Sequence, residues 1–175
     1  MQFRQLDRVR VAPVGLLMLR LVVGFGFMVH GIAKLSRGPD VFAGILHSIG
    51  VPAPHLMARA TILTEVVGGS AIILGGFITI VSVPLAVLLL VAVVTVHLPY
   101  GFSSIKLIAI TPAGAQFGPP GYECDLLYLA GLAALVLGGP GPLAIDGLRR
   151  LRKQKQNEVD RQNRVPVELP NNENV

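Results

Sequence analysis

The sequence is poor in the residues that cover a soluble domain or staple a small one. Charged side chains make up 14% of its 175 positions, against roughly a quarter in an ordinary soluble domain. That deficit excludes a conventional aqueous surface and points to a membrane. There is one cysteine, Cys124. It excludes an intrachain disulfide, a CxxC redox pair and a CxxCH haem attachment, and it reads as a small buried hydrophobe. No flavin motif and no metal-ligating cluster is visible, so the metal expectation is none. The net charge is +5. Its bases lie at the two ends, Arg4, Arg8 and Arg10 on one side and Arg149, Arg150, Arg152, Lys153 and Lys155 on the other. A surplus placed this way marks cytoplasmic flanks of membrane spans rather than a nucleic-acid surface.

What is abundant is apolar sequence. Hydrophobic residues are 52% of the chain, and a helix needs about 20 of them in a row to cross the hydrocarbon core. Val14 to Leu35 is one such run. It is too long for a signal-peptide core and is followed by no small-x-small cleavage site, so it reads as a retained span. Residues 36–57 break the pattern with SRGPD and VPAPH. From Leu56 to Leu98 the chain is again apolar, twice the length of one span, and must fold back. Gly75, Gly76 and Pro84 bracket the expected turn, giving a second helix near 58–76 and a third near 80–98. Pro99-Tyr100-Gly101 ends the third. A fourth runs from Cys124 to Leu137, where Gly138-Gly139-Pro140-Gly141-Pro142 stops it.

The expected fold is therefore all-α, an integral membrane four-helix bundle with both termini cytoplasmic. Its parts are a cytoplasmic N-terminal segment (1–13), a four-helix transmembrane domain (14–148) and a basic, polar tail (149–175). The tail has too little apolar surface to fold alone and reads as disordered. The loops at 36–57 and 99–122 then face outward, with only Arg37 and Lys106 as bases. The expected location is the inner, cytoplasmic membrane, with multiple passes through it.

Ionisable residues set into apolar runs are costly in hydrocarbon and usually mark function. On this topology His30, Lys34, Glu65, His97 and Glu123 fall in one outer layer, with one contributor at least from each helix. His30 and Lys34 share a face, being four apart. Glu65 lies roughly 10 Å below the outer end of its helix at 1.5 Å per residue, too deep for a short acid to reach water. Lys34, His97, Glu123 and Asp125 lie close enough to helix ends to snorkel. Gly24, Gly26, Gly68 and Gly69 are placed to let helices approach. In the other leaflet, Arg20 is paired with Asp146 as a structural clamp between the first and last helices.

Such a layer suits a quinone, whose carbonyl oxygens accept hydrogen bonds and whose reduction takes up protons. Histidine and a buried carboxylate can serve both needs. Two rivals stand beside it. His30 and His97 could hold a b-type haem, or the chain could be a non-enzymatic scaffold or small-solute permeation protein. The expected partners are the lipid bilayer and a redox protein that supplies electrons. Self-association is compatible with the pattern.

The runs RLVVGFGFMVHGIAKL, Glu65-x-x-Gly68-Gly69, VHLPYGF, GYE and GGPGPLAID, in this order and spacing over residues 14–150, resemble the DoxX family of small membrane proteins. The resemblance implies a four-helix membrane protein labelled as an oxidoreductase or its subunit, similar to the small subunits of thiosulfate:quinone oxidoreductase. His30, Lys34, Glu65, His97, Glu123, Arg20 and Asp146 match positions of the family pattern. The loop at 76–82 lacks the basic residue that relatives carry there.

Overall fold

A computed structural model describes residues 2–139 and 141–164. The chain is mostly helical. The elements are α1 (Gln2–Arg37), α2 (Pro39–Ser48), α3 (Pro54–Leu74), α4 (Ile78–Ala92), β1 (Leu107–Thr111), β2 (Gly114–Phe117), α5 (Glu123–Gly138) and α6 (Ile145–Arg164). Among the described residues three helices are long and apolar enough to cross a membrane: Pro13–Arg37, Pro54–Leu74 and Ile78–Tyr100. At 16 residues, α5 is shorter.

Heptad-like seams bring the helices together. On α3 the buried positions Ala58, Ile62, Glu65, Gly69 and Ile72 alternate by four and three, the spacing that keeps one stripe facing a partner. On α1 the same spacing runs through Arg20, Gly24, Phe27 and Gly31 to the half-buried Lys34. The two seams pack directly on each other. A Cβ on Gly24 would lie 2.7 Å from the Gly69 carbonyl oxygen, and one on Gly69 would lie 2.6 Å from that of Gly24. Only glycine at both positions permits this approach, as expected from the sequence. The core is completed by Val23 and Phe27 of α1, Ile72 of α3, Ile78 and Leu85 of α4, and Leu132 and Leu135 of α5.

The helices have two distinct ends. At the turn end, α3 passes into α4 through Gly75, Gly76 and Phe77. Gly75 and Phe77 both adopt left-handed backbone conformations, with φ of 68° and 55°. The turn is therefore tighter than expected, and Pro84 does not bracket it but lies inside α4. A proline one to two turns into a helix kinks it without ending it when tertiary packing holds both sides. At the loop end sit α2 and a β-hairpin. Neither is legible as a break in the apolar pattern. Gly38 (φ 98°) and Pro39 at the first turn start α2, a position where proline's missing N–H costs nothing. The hairpin pairs Leu107 with Phe117 and Thr111 with Gly114 across a two-residue connection, so the all-α expectation is corrected by a small antiparallel sheet.

The expected disordered tail is also revised. From Ile145 the chain is helical to Arg164, because Leu, Arg, Lys and Gln are strong helix formers even without a core to cover. Gln156 donates to Asp160 one turn on, at 3.1 Å. The remainder of the expected tail, from residue 165, lies outside the described residues. At the other end α1 starts at Gln2, so the helix begins ahead of the candidate span, which starts at Pro13.

Candidate functional site

Among the described residues, two partly buried acid–base pairs lie at the loop end, beside the exposed pair of Asp40 and His55. Lys34 Nζ donates to Glu65 Oε1 across the α1–α3 seam. Glu65 is 7% exposed, and its other oxygen, Oε2, is buried with no hydrogen-bond partner among the described residues. Gly31 makes the pair possible, since a Cβ there would lie 3.0 Å from Glu65 Cβ. The Lys34 ammonium also lies 5.1 Å from the ring centre of Phe42 on α2, within range of a cation–π contact. The unforeseen helix α2 thus roofs the pair.

The second pair joins the end of α4 to α5. Beyond Ala92 the helix widens into a π-turn, Val93–His97, then tightens into a 3₁₀ turn, Leu98–Tyr100. The π-turn inserts an extra residue per turn, which redirects the His97 ring. Its Nδ1 meets the Pro120 carbonyl oxygen at 3.1 Å, and its Nε2 lies 3.9 Å from Asp125 Oδ2.

Glu123 has a different task. Its Oε2 accepts from the Ser104 amide at 3.0 Å, and its own amide donates to the Phe102 carbonyl at 2.9 Å. These bonds pin the stem of the hairpin, and Gly101 and Gly121 cross there so closely that a Cβ on Gly121 would fall 2.0 Å from the Gly101 carbonyl oxygen. Glu123 therefore fixes the loop that presents Pro120 to His97. Asp125, noted only as able to snorkel, is the acid turned inward. It heads the α5 seam Asp125, Tyr128, Leu132 and Leu135, and extending that seam one turn back from its leucines finds it. Cys124, expected to be buried, is exposed.

Along α1 from Leu21 to His30 runs an open groove of about 630 Å³, lined there by Leu21, Val22, Phe25 and His30, with Tyr128 of α5 and Ile73 of α3 among its walls. Tyr128 went unremarked in the sequence. Its hydroxyl lies where a Cβ on Gly26 would be, 1.8 Å from that point, and its ring meets Phe27 edge-on at 5.2 Å. The glycine at 26 is thus the signal for a bulky neighbour. His30 is exposed along this groove. The five expected residues do not form one cluster. Lys34 and Glu65 meet, His97 meets Asp125, His30 stands at the groove, and Glu123 serves the loop. For a haem held by His30 and His97, both need a free ring nitrogen, whereas both nitrogens of His97 are turned to Pro120 and Asp125.

At the turn end, Arg20 is 2% exposed. Its Nη2 donates to the carbonyls of Pro142 and Leu143, at 3.3 and 3.5 Å. Asp146 accepts from the Ile78 amide at 3.4 Å and donates its own amide to the Gly75 carbonyl at 3.1 Å. It thereby caps α4 from a distant part of the chain, since Phe77 offers no side-chain cap. Arg149 lies over the Phe77 ring at 4.8 Å. Arg20 and Asp146 both act on this one corner.

The family model described as DoxX matches residues 15–98. The chain is 31% identical over 149 residues to "Uncharacterized membrane protein Rv3486" of Mycobacterium tuberculosis (strain ATCC 25618 / H37Rv), covering 81% of this chain and 84% of that protein. It is 35% identical over 133 residues to "Putative oxidoreductase CatD" of Bacillus subtilis (strain 168), covering 76% and 85%. No solved structure matches it. With apolar helices of membrane length, a glycine-sealed α1–α3 seam and these relatives, the chain belongs to the DoxX family.

Proposed function

We propose that this protein is a quinone-interacting component of a membrane redox system. In this reading it spans the inner membrane four times, with α5 as the short fourth span and both ends in the cytoplasm. The basic run from Arg149 to Lys155 supports that orientation, since it follows the turn end while the loop end carries few bases.

The observation that carries the proposal is the groove along α1, which ends at His30 of the ionisable layer. Its volume of about 630 Å³ is in the usual range for a small-ligand site, roughly 300–1,000 Å³. Its walls are apolar and one side is open, as entry from lipid requires, and the polar groups at hand are few and specific. The His30 ring and the Tyr128 hydroxyl can donate to a carbonyl oxygen. Lys34 and Glu65 lie one turn outward of His30 and keep α1 and α3 in register there. A bound quinone would supply the electron-accepting chemistry; the chain's own residues bind the head group, orient it and hold protons near it. A single cysteine cannot form a redox dithiol, so electrons come from a partner redox protein. The oxidoreductase name of the Bacillus subtilis relative is in keeping with this role.

Titration of a short-chain quinone into the purified protein in lipid nanodiscs tests it. Wild type binds saturably. His30→Gln and Tyr128→Phe each weaken binding by about tenfold, the worth of one hydrogen bond of roughly 1.4 kcal/mol. No saturable binding by wild type, or equal binding by all three proteins, contradicts the assignment.

A further inference from the structure

The geometry around His97 fixes more than a contact. A carbonyl oxygen only accepts, so the ring nitrogen 3.1 Å from Pro120 must carry a hydrogen. Pro120 cannot drift from this position, because the stem beneath it is closed by the Gly121-to-Ser103 and Tyr122-to-Gly101 backbone bonds, at 3.0 and 3.1 Å. With Nδ1 protonated, a neutral ring would present the bare lone pair of Nε2 to Asp125 Oδ2 at 3.9 Å. A lone pair facing an ionised carboxylate is repulsive. The arrangement is attractive only when one further proton resides on Nε2 or on the carboxyl.

We infer that His97 and Asp125 share one proton and form a proton store one turn of α5 from Tyr128, which lines the groove together with His30. The purpose of the store rests on the quinone reading; its existence does not. Burial is graded in the right direction. The His97 side chain is 23% exposed and that of Asp125 is 12% exposed, so the histidine is the more accessible of the two. A proton from water enters on Nε2; at 3.9 Å the two atoms stand beyond hydrogen-bond distance, so it passes to Oδ2 only when the side chains close on each other, leaving a neutral ring that still carries its Nδ1 hydrogen. No electron changes hands in this step. Other groups do not compete for the position. Glu123 is held by Ser104, Lys34 is held by Glu65, and the hairpin loop presents the Pro120 carbonyl. From α1, the titratable group within electrostatic reach of Asp125 is His30, which lines the groove. Tyr128 stands one turn deeper than Asp125 on the same face of α5. The store therefore borders both donors that the groove offers.

Two spectra on the full-length protein in nanodiscs at neutral pH test this. Histidine labelled with ¹⁵N, assigned with His97→Gln, reports which ring nitrogens carry hydrogen. Infrared difference spectra against Asp125→Asn report a protonated carboxyl. The expected result is either N–H signals from both His97 nitrogens, or one from Nδ1 together with a carboxylic acid band that Asp125→Asn abolishes. In Asp125→Asn, whose amide can donate to Nε2, the ring keeps the Nδ1 signal alone. A neutral ring with its hydrogen on Nε2, or an Nδ1–H ring facing an ionised Asp125, overturns the shared proton. Added quinone should shift the wild-type signals of the pair. Binding without any shift overturns its assignment to the groove. A shared proton in a wild type that binds no quinone supports the pair and overturns the quinone reading.

Discussion

The same face of α1 carries a cation at each end, and the two are treated in opposite ways. Arg20, at the turn end, is sunk to 2% exposure and spends its hydrogen bonds on backbone carbonyls of the segment that returns after α5. Lys34, two heptads further on, keeps 27% of its side chain exposed and meets an acid that has one oxygen still without a partner. At the turn end, Arg20, Asp146 and Arg149 all lie on the corner at Gly75–Phe77. At the loop end, polar capacity is left over: Oε2 of Glu65 and the exposed His30. A corner whose polar groups hold backbone is built to stay closed. A layer with spare acceptors and donors beside an open groove is built to receive something.

Four substitutions sharpen or break this contrast. Arg20→Ala should have the largest effect. It removes charge-assisted bonds worth about 1.5–3 kcal/mol each and should destabilise the protein by about 3 kcal/mol, read as reduced resistance to unfolding in detergent. Quinone affinity of the surviving folded fraction should be unchanged; a lost affinity would make the turn end functional too. Glu65→Gln should cost about 1–2 kcal/mol, since Gln can still accept from a Lys34 that water partly solvates. Here quinone affinity should fall along with stability, because the layer beside His30 is altered. An unchanged affinity would confine Glu65 to a structural role. Asp146→Asn should cost about 1 kcal/mol, the worth of a helix cap, with fraying at the start of α4 visible as faster amide exchange at Ile78. The smallest effect is expected at the surface pair of Asp40 and His55, 3.2 Å apart with side chains 80% and 69% exposed. Asp40→Asn should leave the unfolding midpoint within the experimental scatter, as exposed ion pairs contribute about 0–1 kcal/mol.

The legible part of the fold is the part governed by hydrophobic length and seam spacing. The first span, the fold-back after Gly75, the facing glycines and the burial of Glu65 all follow from those two rules. Depth alone leaves Lys34 or His30 to meet Glu65 or Glu123, and the structure brings Lys34 to Glu65. Elements that depend on local backbone chemistry in exposed segments escaped. α2 rests on Gly38 and Pro39, and the hairpin on the connection at 112–113, and neither has a face buried regularly enough to print a period on the sequence. Pro84 misled because tertiary packing overrode its usual role as a stop. At the site, His97 and Glu123 were singled out as ends of helices, but a π-turn, invisible in sequence, decides where His97 points. The difference between Glu123 and Asp125 is two residues on a helix, enough to face opposite ways. Running the α5 seam back from Leu135 and Leu132 through Tyr128 would have chosen Asp125 and drawn attention to the tyrosine.

A quinone bearing a photoreactive group, activated in nanodiscs and mapped by mass spectrometry, puts the two ends of the molecule in direct competition. Adducts concentrated on α1 between Leu21 and His30 and on α5 around Tyr128, and displaced by excess unlabelled quinone, are the predicted outcome. Adducts gathered at the Gly75–Phe77 corner, or spread along the lipid-facing helices without displacement, would contradict a receptive loop end.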